Sequence, residues 1–290
     1  MLSCTTSNAV SVAGSCCRFS ATHQPAARAR RYPSDTTDAQ WAVIDPLLPD
    51  PGCTLGRGGR WEKHCRRLVV DAIFYVTDNG IKWRALPADF PPWSTVFKRF
   101  QAWARSGAVT RVMGAVNDRV RQAAGRVAAP SAAIIDSQSI RAAETVRRRS
   151  RGWDAGKKVN GRKRHIAVDT LGLLLAILVT PASTQDRAAA PRLLRLLRAT
   201  GTRLKHVWAD GGYTGHPIND AHQLGLRMQI VQRLHTHTFT VLPRRWVVER
   251  TLAWITRHRR CARDYERHPT HHATFVQWAM IRIHTRRLTH

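Results

Sequence analysis

Trp208-Ala209-Asp210-Gly211-Gly212-Tyr213-Thr214-Gly215 is the stretch on which the reading of the fold turns. Lys205 to Trp208 supply a strand, with Val207 and Trp208 as strong strand formers. Gly211 and Gly212 tolerate positive φ, so the chain can turn sharply just after the carboxylate. An aspartate at the C-terminal tip of a strand, beside such a turn, is placed for a metal or a phosphate. It is equally placed to cap the turn, and this stretch alone leaves both readings open.

Two further acids change the balance. Upstream, Ala132-Ala133-Ile134-Ile135 is a short apolar run that ends on Asp136. Downstream, Arg244 to Arg259 predicts a helix with Val248, Leu252 and Ile255 as its buried stripe and Glu249 beside it. Taken singly, Asp136 reads as a strand-end turn residue and Glu249 as an ion-pair partner of Arg245, one turn back. Together, two strand ends and a neighbouring helix can gather three carboxylates, which repel one another unless a cation shares them. Magnesium binds through one or two carboxylates, waters and substrate phosphates. Two such ions about 4 Å apart would clamp the attacking and leaving oxygens of a phosphoryl transfer. His235, His237, His271 and His272 lack a compact zinc spacing and are expected to face solvent or DNA.

Composition names the partner. The 290 residues hold 47 Lys+Arg against 19 Asp+Glu, a formal net charge of +28. Such a charge points to nucleic acid or an anionic membrane surface. The longest apolar run, Leu171 to Val179, is far below the ~18 residues of a membrane span and reads as a strand. Nucleic acid is therefore the expected partner. The six cysteines form no C-x-x-C pair and fit neither a disulfide framework nor a zinc site. They suit a reducing, cytoplasmic compartment.

The hydrophobic content of 43% allows a sizeable core, and the length allows one large domain or two. Residues 1–31 have no acid and are rich in Ser, Ala and Arg, which reads as a disordered extension or a transit peptide. Residues 32–124 predict a small all-helical domain, interrupted by a Gly/Arg/Pro loop from Pro51 to Arg60. A capping box at Thr37 and Gln40 opens its first helix. Short helices, tight turns and outward basic residues are compatible with a helix-turn-helix DNA reader. Residues 125–131 read as a linker, and 132–290 alternate strands with helices.

Between the first two strands of that second region, Arg141 to Arg164 is strongly basic. It includes Arg147, Arg148, Arg149, Lys157, Lys158, Arg162, Lys163 and Arg164, with three glycines. This predicts a mobile loop that meets DNA phosphates. Asp169-Thr170-Leu171-Gly172 predicts a hairpin turn between two strands. The connector Arg233 to Pro243 is polar.

These segments resemble a known family. They are Tyr32-Pro33-Ser34-Asp35 with Gln40-Trp41, Ile135-Asp136-Ser137-Gln138-Ser139, Asp154-Ala155-Gly156-Lys157-Lys158, Gly161-Arg162-Lys163-Arg164-His165 and Val168-Asp169-Thr170-Leu171-Gly172. Trp208-Ala209-Asp210-Gly211-Gly212-Tyr213 and Arg245-Trp246-Val247-Val248-Glu249-Arg250 follow in order. Together they resemble bacterial insertion-sequence transposases of the DDE type, from about Tyr32 onward. The resemblance implies an α/β, RNase H-like mixed sheet flanked by helices, with Asp136, Asp210 and Glu249 as catalytic and metal-binding triad. It implies two Mg2+ ions, replaceable by Mn2+. It also implies terminal inverted repeats and target DNA as partners, a homodimer on DNA, and a nucleoid-associated location. Arg245, Trp246 and Arg257 match positions where relatives handle end DNA. Where a related group has lysine after the glutamate, this chain has Thr256 and Arg257. Two other readings stay open: an RNase H-like nuclease without strand transfer, and a non-catalytic, transposase-derived DNA-binding protein.

Overall fold

The computed structural model describes residues 30–51, 55, 62–201, 203–231 and 245–290. Nearly all of the expected N-terminal extension, most of the Pro51 to Arg60 loop, and the connector with His235 and His237 lie outside the described residues.

Four helices come first: α1 (Asp38–Ile44), α2 (Arg66–Asn79), α3 (Trp93–Arg105) and α4 (Ala108–Ala123). The capping box at the start of α1 is formed. Thr37 Oγ1 accepts the Gln40 N–H at 3.1 Å, and Gln40 Oε1 accepts the Thr37 N–H at 3.2 Å. Behind these helices lie β1 (Ala132–Arg141), β2 (Gly152–Asp154), β3 (Val159–Val168), β4 (Leu174–Pro181), β5 (His206–Ala209) and β6 (Arg227–Ile230). The strand order is β2-β3-β1-β5-β6, with β4 also on β3. β3 runs antiparallel to β1, β2 and β4, whereas β1, β5 and β6 are parallel, so the sheet is mixed. The remaining helices are α5 (Asp186–Arg198), α6 (His216–Gln223), α7 (Arg245–Thr256), α8 (Arg259–Ala262) and α9 (Pro269–Leu288).

Side-chain alternation along the strands gives the sheet two apolar faces. Ile135 and Ala167 face one way and pack with Leu193, Leu194 and Leu197 of α5. Ile134, Ile166 and Val168 face the other way and pack with Val248, Leu252 and Ile255 of α7, with α9, and with the N-terminal helices. That second core is continuous from Trp41 to Ile281 and therefore bridges the segment 125–131. Asn117 Nδ2 of α4 donates to the Leu174 carbonyl of β4 at 2.7 Å, which ties the same two regions together.

The hairpin at Asp169 forms as its sequence predicts, and it anchors α7. Asp169 is fully buried, accepts the N–H groups of Leu171 and Leu173 at 2.9 Å each, and pairs with Arg121. Gly172 has φ +83°, and a Cβ there would lie 2.8 Å from Thr251 Oγ1 on α7. Thr251 Oγ1 donates to the Gly172 carbonyl at 3.0 Å, and Arg250 Nη2 to the Leu171 carbonyl at 3.2 Å. The turn thus fixes the helix that carries Glu249 against the sheet.

Two expectations are corrected. The basic segment from Arg141 to Arg164 is not one mobile loop. It holds the short β2, and its last residues belong to β3, where Arg162, Lys163 and Arg164 are buried. They are retained there because each finds partners within the protein. Arg162 Nη1 meets Asp264 Oδ2 and the Glu266 carbonyl at 2.8 Å each. Arg164 donates to Gln138 and to the Cys261 carbonyl. His271 and His272 are likewise buried, not solvent- or DNA-facing, because α9 is enclosed on nearly all sides by the N-terminal helices and the sheet.

Candidate active site

Asp136 does not end its strand as expected: β1 runs on to Arg141 because its second half, Ser137 to Arg141, pairs with β3. Asp136 nonetheless stands level with Asp210, which lies just past the end of β5. Ile134 of β1 pairs with Trp208 of β5, and each aspartate lies two residues beyond its member of that pair. Asp136 Oδ1 accepts the N–H of Ser137 at 2.7 Å. Asp210 is extended and caps a single 3-10 turn, Gly211–Tyr213, by accepting the Gly212 N–H at 2.9 Å. The glycine turn that follows the strand therefore aims a backbone donor back at the carboxylate. Both readings of this stretch are met in its geometry: Asp210 is a cap and sits at a strand tip.

Glu249 lies on the exposed side of α7, one position past the buried Val248. By strand alternation Asp136 shares the face of Ile134, which α7 covers. Among the described residues, no three His, Cys, Asp or Glu side chains stand close enough to share one metal ion. The structure thus brings Asp136 and Asp210 side by side, with Glu249 on a helix packed over the same face but outside any such group. An all-carboxylate donor set of this kind suits a hard cation. Magnesium, which keeps several waters and needs only one or two protein carboxylates, fits the aspartate pair.

A third aspartate completes the surroundings. Asp186, at the start of α5, accepts the Ser137 hydroxyl at 2.8 Å and lies 3.3 Å from Lys163 Nζ. Lys163 Nζ also lies 3.6 Å from Asp154, to which Ser139 donates. Burial opposes ionisation of Asp154, but the Ser139 hydroxyl, the Lys157 N–H, Lys163 and Lys157 outweigh it and hold its carboxyl below the usual range. Burial, and then the charges of Asp186, Asp136 and Asp210, push the Tyr213 phenol well above its ordinary value. Its hydroxyl is buried without a hydrogen-bond partner among the described residues. His165, buried with Nε2 3.0 Å from Thr180 Oγ1, is pushed down to about 4 by its burial, against the pull of Asp186, and is neutral at pH 7. Asp186, Lys163 and Asp154 had not stood out as carboxylate-site residues. Asp186 reads in sequence as an ordinary helix-starting acid, and its one signal is the scarcity of acids in the chain.

The other basic residues divide. Arg148, Arg149, Lys157 and Lys158 are exposed, and Arg147 is half-buried. The neighbouring charge of Arg267 lowers the Arg147 guanidinium from its ordinary value, a sign of crowded cations. Lys157 Nζ lies 3.5 Å from the Ser137 carbonyl, beside Asp136. Trp246 is 43% exposed on α7, and the Arg250 guanidinium stacks 4.3 Å from it and 4.5 Å from Trp254. Arg257 is exposed just past α7. Arg245 begins α7, and its side chain lies outside the described residues. Cys65 and Cys261 are buried free thiols, and no helix among the described residues is long and apolar enough to cross a membrane.

Two aspartates level on adjacent parallel strands of a helix-flanked mixed sheet, edged by cations, suit an RNase H-like fold. Comparison with known proteins agrees. Residues 128–284 match the model of the "Transposase DDE domain", and residues 36–113 match that of a "Putative transposase of IS4/5 family". The chain belongs to the DDE transposases. It is 32% identical over 125 residues to the "Putative transposase for insertion sequence element IS402" of Burkholderia cepacia, a match covering 40% of this chain and 59% of that relative. It is 34% identical over 113 residues to the "Insertion element IS402 uncharacterized 16.2 kDa protein" of the same organism, covering 36% of this chain and 71% of that relative. DDE transposase domains act on DNA and generally use divalent metal ions.

Proposed function

We propose that this protein cuts DNA at the ends of an insertion sequence and joins those ends to target DNA. The observation that carries the reading is the register of the parallel strands β1 and β5, which sets Asp136 within β1 level with Asp210 at the end of β5. In the first step water attacks the phosphorus at the element end, and the 3′-oxygen leaves as a 3′-hydroxyl. In the second, that hydroxyl attacks a target phosphodiester and displaces the target's own 3′-oxygen. Asp136, Asp210 and Glu249 would hold two Mg2+ ions, for which Mn2+ can substitute. When bound, the metal supplies Lewis-acid polarisation of the scissile phosphate and its attacking oxygen.

The chain's own residues do the rest. The N–H groups of Ser137 and Gly212 hold one oxygen of each aspartate and keep both carboxylates oriented. Arg147, Arg148, Arg149, Lys157 and Lys158 grip phosphates beside Asp136, and Trp246 and Arg257 flank Glu249 for the element end, with Arg245 at the head of the same helix. The N-terminal helices, which expose Lys82, Arg84, Lys98, Arg105 and Arg111, read the terminal inverted repeats. Two ends joined in one event call for a homodimer on DNA.

The test uses purified protein, Mg2+ and a labelled duplex bearing the flanking inverted repeat, with Asp136→Ala alongside. Metal-dependent cutting at the repeat end and joined products are expected from the wild type, and neither from the variant. Cutting without joined products would reduce the function to that of a nuclease. Equal cutting by the variant would remove Asp136 from the mechanism.

A further inference from the structure

Asp186 stands against the supports of both Asp136 and Asp210. Its Oδ1 accepts the Ser137 hydroxyl at 2.8 Å, and the Ser137 N–H donates to Asp136 Oδ1 at 2.7 Å. Its Oδ2 lies against the glycine turn. A Cβ on Gly212 would come to 3.4 Å from Asp186 Oδ2, an ordinary contact, and to 3.0 Å from Asp210 Oδ1, so the turn lies between the two carboxylates and a side chain there would press on Asp210. Gly212 itself donates to Asp210 at 2.9 Å. Asp186 is in turn fixed by its place in the first turn of the 13-residue α5, where the helix N-terminus favours a negative charge, and by Lys163 Nζ at 3.3 Å. The orphaned hydroxyl of Tyr213 lies in the field of all three aspartates.

We infer that Asp186 is a positioning residue that sets the separation of the Asp136 and Asp210 carboxylates, acting on one through Ser137 and on the other through the Gly212 turn. It does not itself touch the reacting atoms. The inference rests on the metal-dependent reading proposed above. Groups that orient metal ligands without ligating typically contribute about 10–100-fold to metal affinity.

The experiment measures Mn2+ binding to the purified full-length protein without DNA, from the loss of the free-Mn2+ electron paramagnetic resonance signal. The proteins compared are the wild type, Asp136→Ala, Asp186→Ala, Ser137→Ala and the double variant Ser137→Ala/Asp186→Ala. Asp186→Ala is expected to weaken Mn2+ binding about 10–100-fold and to regain cleavage of the labelled repeat end as Mn2+ is raised. Ser137→Ala should lose affinity by a smaller factor, and the double variant should bind about as weakly as Asp186→Ala alone, because the two side chains act in series. Wild-type affinity in Asp186→Ala, or losses that multiply in the double variant, would overturn the inference. If Asp186→Ala does not fold, Ser137→Ala decides alone, since it removes one hydroxyl; unchanged affinity there would overturn it too. Asp136→Ala binding as tightly as the wild type would instead strike the metal-dependent reading, and the inference with it.

Discussion

Lys157-Lys158 and Arg162-Lys163-Arg164 stand a few residues apart in one basic run, yet they have opposite fates. The two lysines are exposed on the turn that enters β3, whereas Arg162 and Arg164 are fully buried and Lys163 nearly so. Stripping an ion of water costs several kcal/mol unless partners replace that water. Arg162 has Asp264, and Lys163 has Asp186 and Asp154. Among the described residues Arg164 donates only to neutral acceptors, on Gln138 and Cys261, and burial pulls its guanidinium down to about 10. A net charge of +28 is therefore not all a footprint for DNA. Part of it is an internal framework that ties the sheet to the C-terminal helices and to the carboxylate site.

The largest expected break in this contrast comes from Arg162→Ala, which removes the guanidinium from buried Asp264 and leaves it with His272 and the Glu266 N–H. Urea unfolding should show a loss of about 3–5 kcal/mol, Asp264→Ala should cost a comparable amount, and the double variant should cost less than the sum. A loss under about 0.5 kcal/mol would show that the pair does not hold the framework. Acid tests the same pair with a smaller effect. Burial opposes ionisation of Asp264, but His272 and Arg162 outweigh it and bring its carboxyl down to about 2. A depressed folded value means that the stabilisation is complete above the unfolded aspartate value of about 4 and is lost as pH falls toward 2. The expected loss in that window is about 2–3 kcal/mol, read as the difference between wild type and Asp264→Asn in urea midpoints from pH 5 to pH 2.5. The exposed pair should behave in the opposite sense. Lys157→Ala/Lys158→Ala should leave stability within about 0.5 kcal/mol while lowering the slope of log affinity against log salt by about 0.9 per lost phosphate contact. An unchanged salt slope would take these lysines out of the DNA interface.

The strand tip at Asp210, the hairpin at Asp169 and the buried stripe of α7 were legible because each rests on local chemistry: a glycine turn or a helical period. The end of β1 was not, since the apolar run stops at Ile135 while pairing with β3 carries the strand on to Arg141. The buried arginines were not. Val159 alone is apolar in β3 before Ile166, and the partner that admits Arg162 to the interior, Asp264, is 102 residues away. The burial of His271, His272 and His284 was hidden for a similar reason, since α9 is enclosed by elements from the far end of the chain. His284 Nδ1 meets Asn117 Oδ1 of α4 at 2.8 Å, and burial pushes the imidazole down to about 3. In the candidate site the two aspartates could be read from their positions, whereas the support from Asp186 depends on how α5 meets β1 and β3.

The enclosure of α9 also sets an order in time. During synthesis the helices α1 to α4 emerge first, but the helix that fills the space between them and the sheet emerges after every strand has been made. Until residues 269–288 leave the ribosome, Trp41, Phe74, Trp103 and Val116 lack the neighbours that cover them. Pairing elements so far apart in sequence is slow, because loop closure must precede the contacts that reward it. The interior between the N-terminal helices and the sheet therefore stays half-open until α9 is made, and this core closes in one late step.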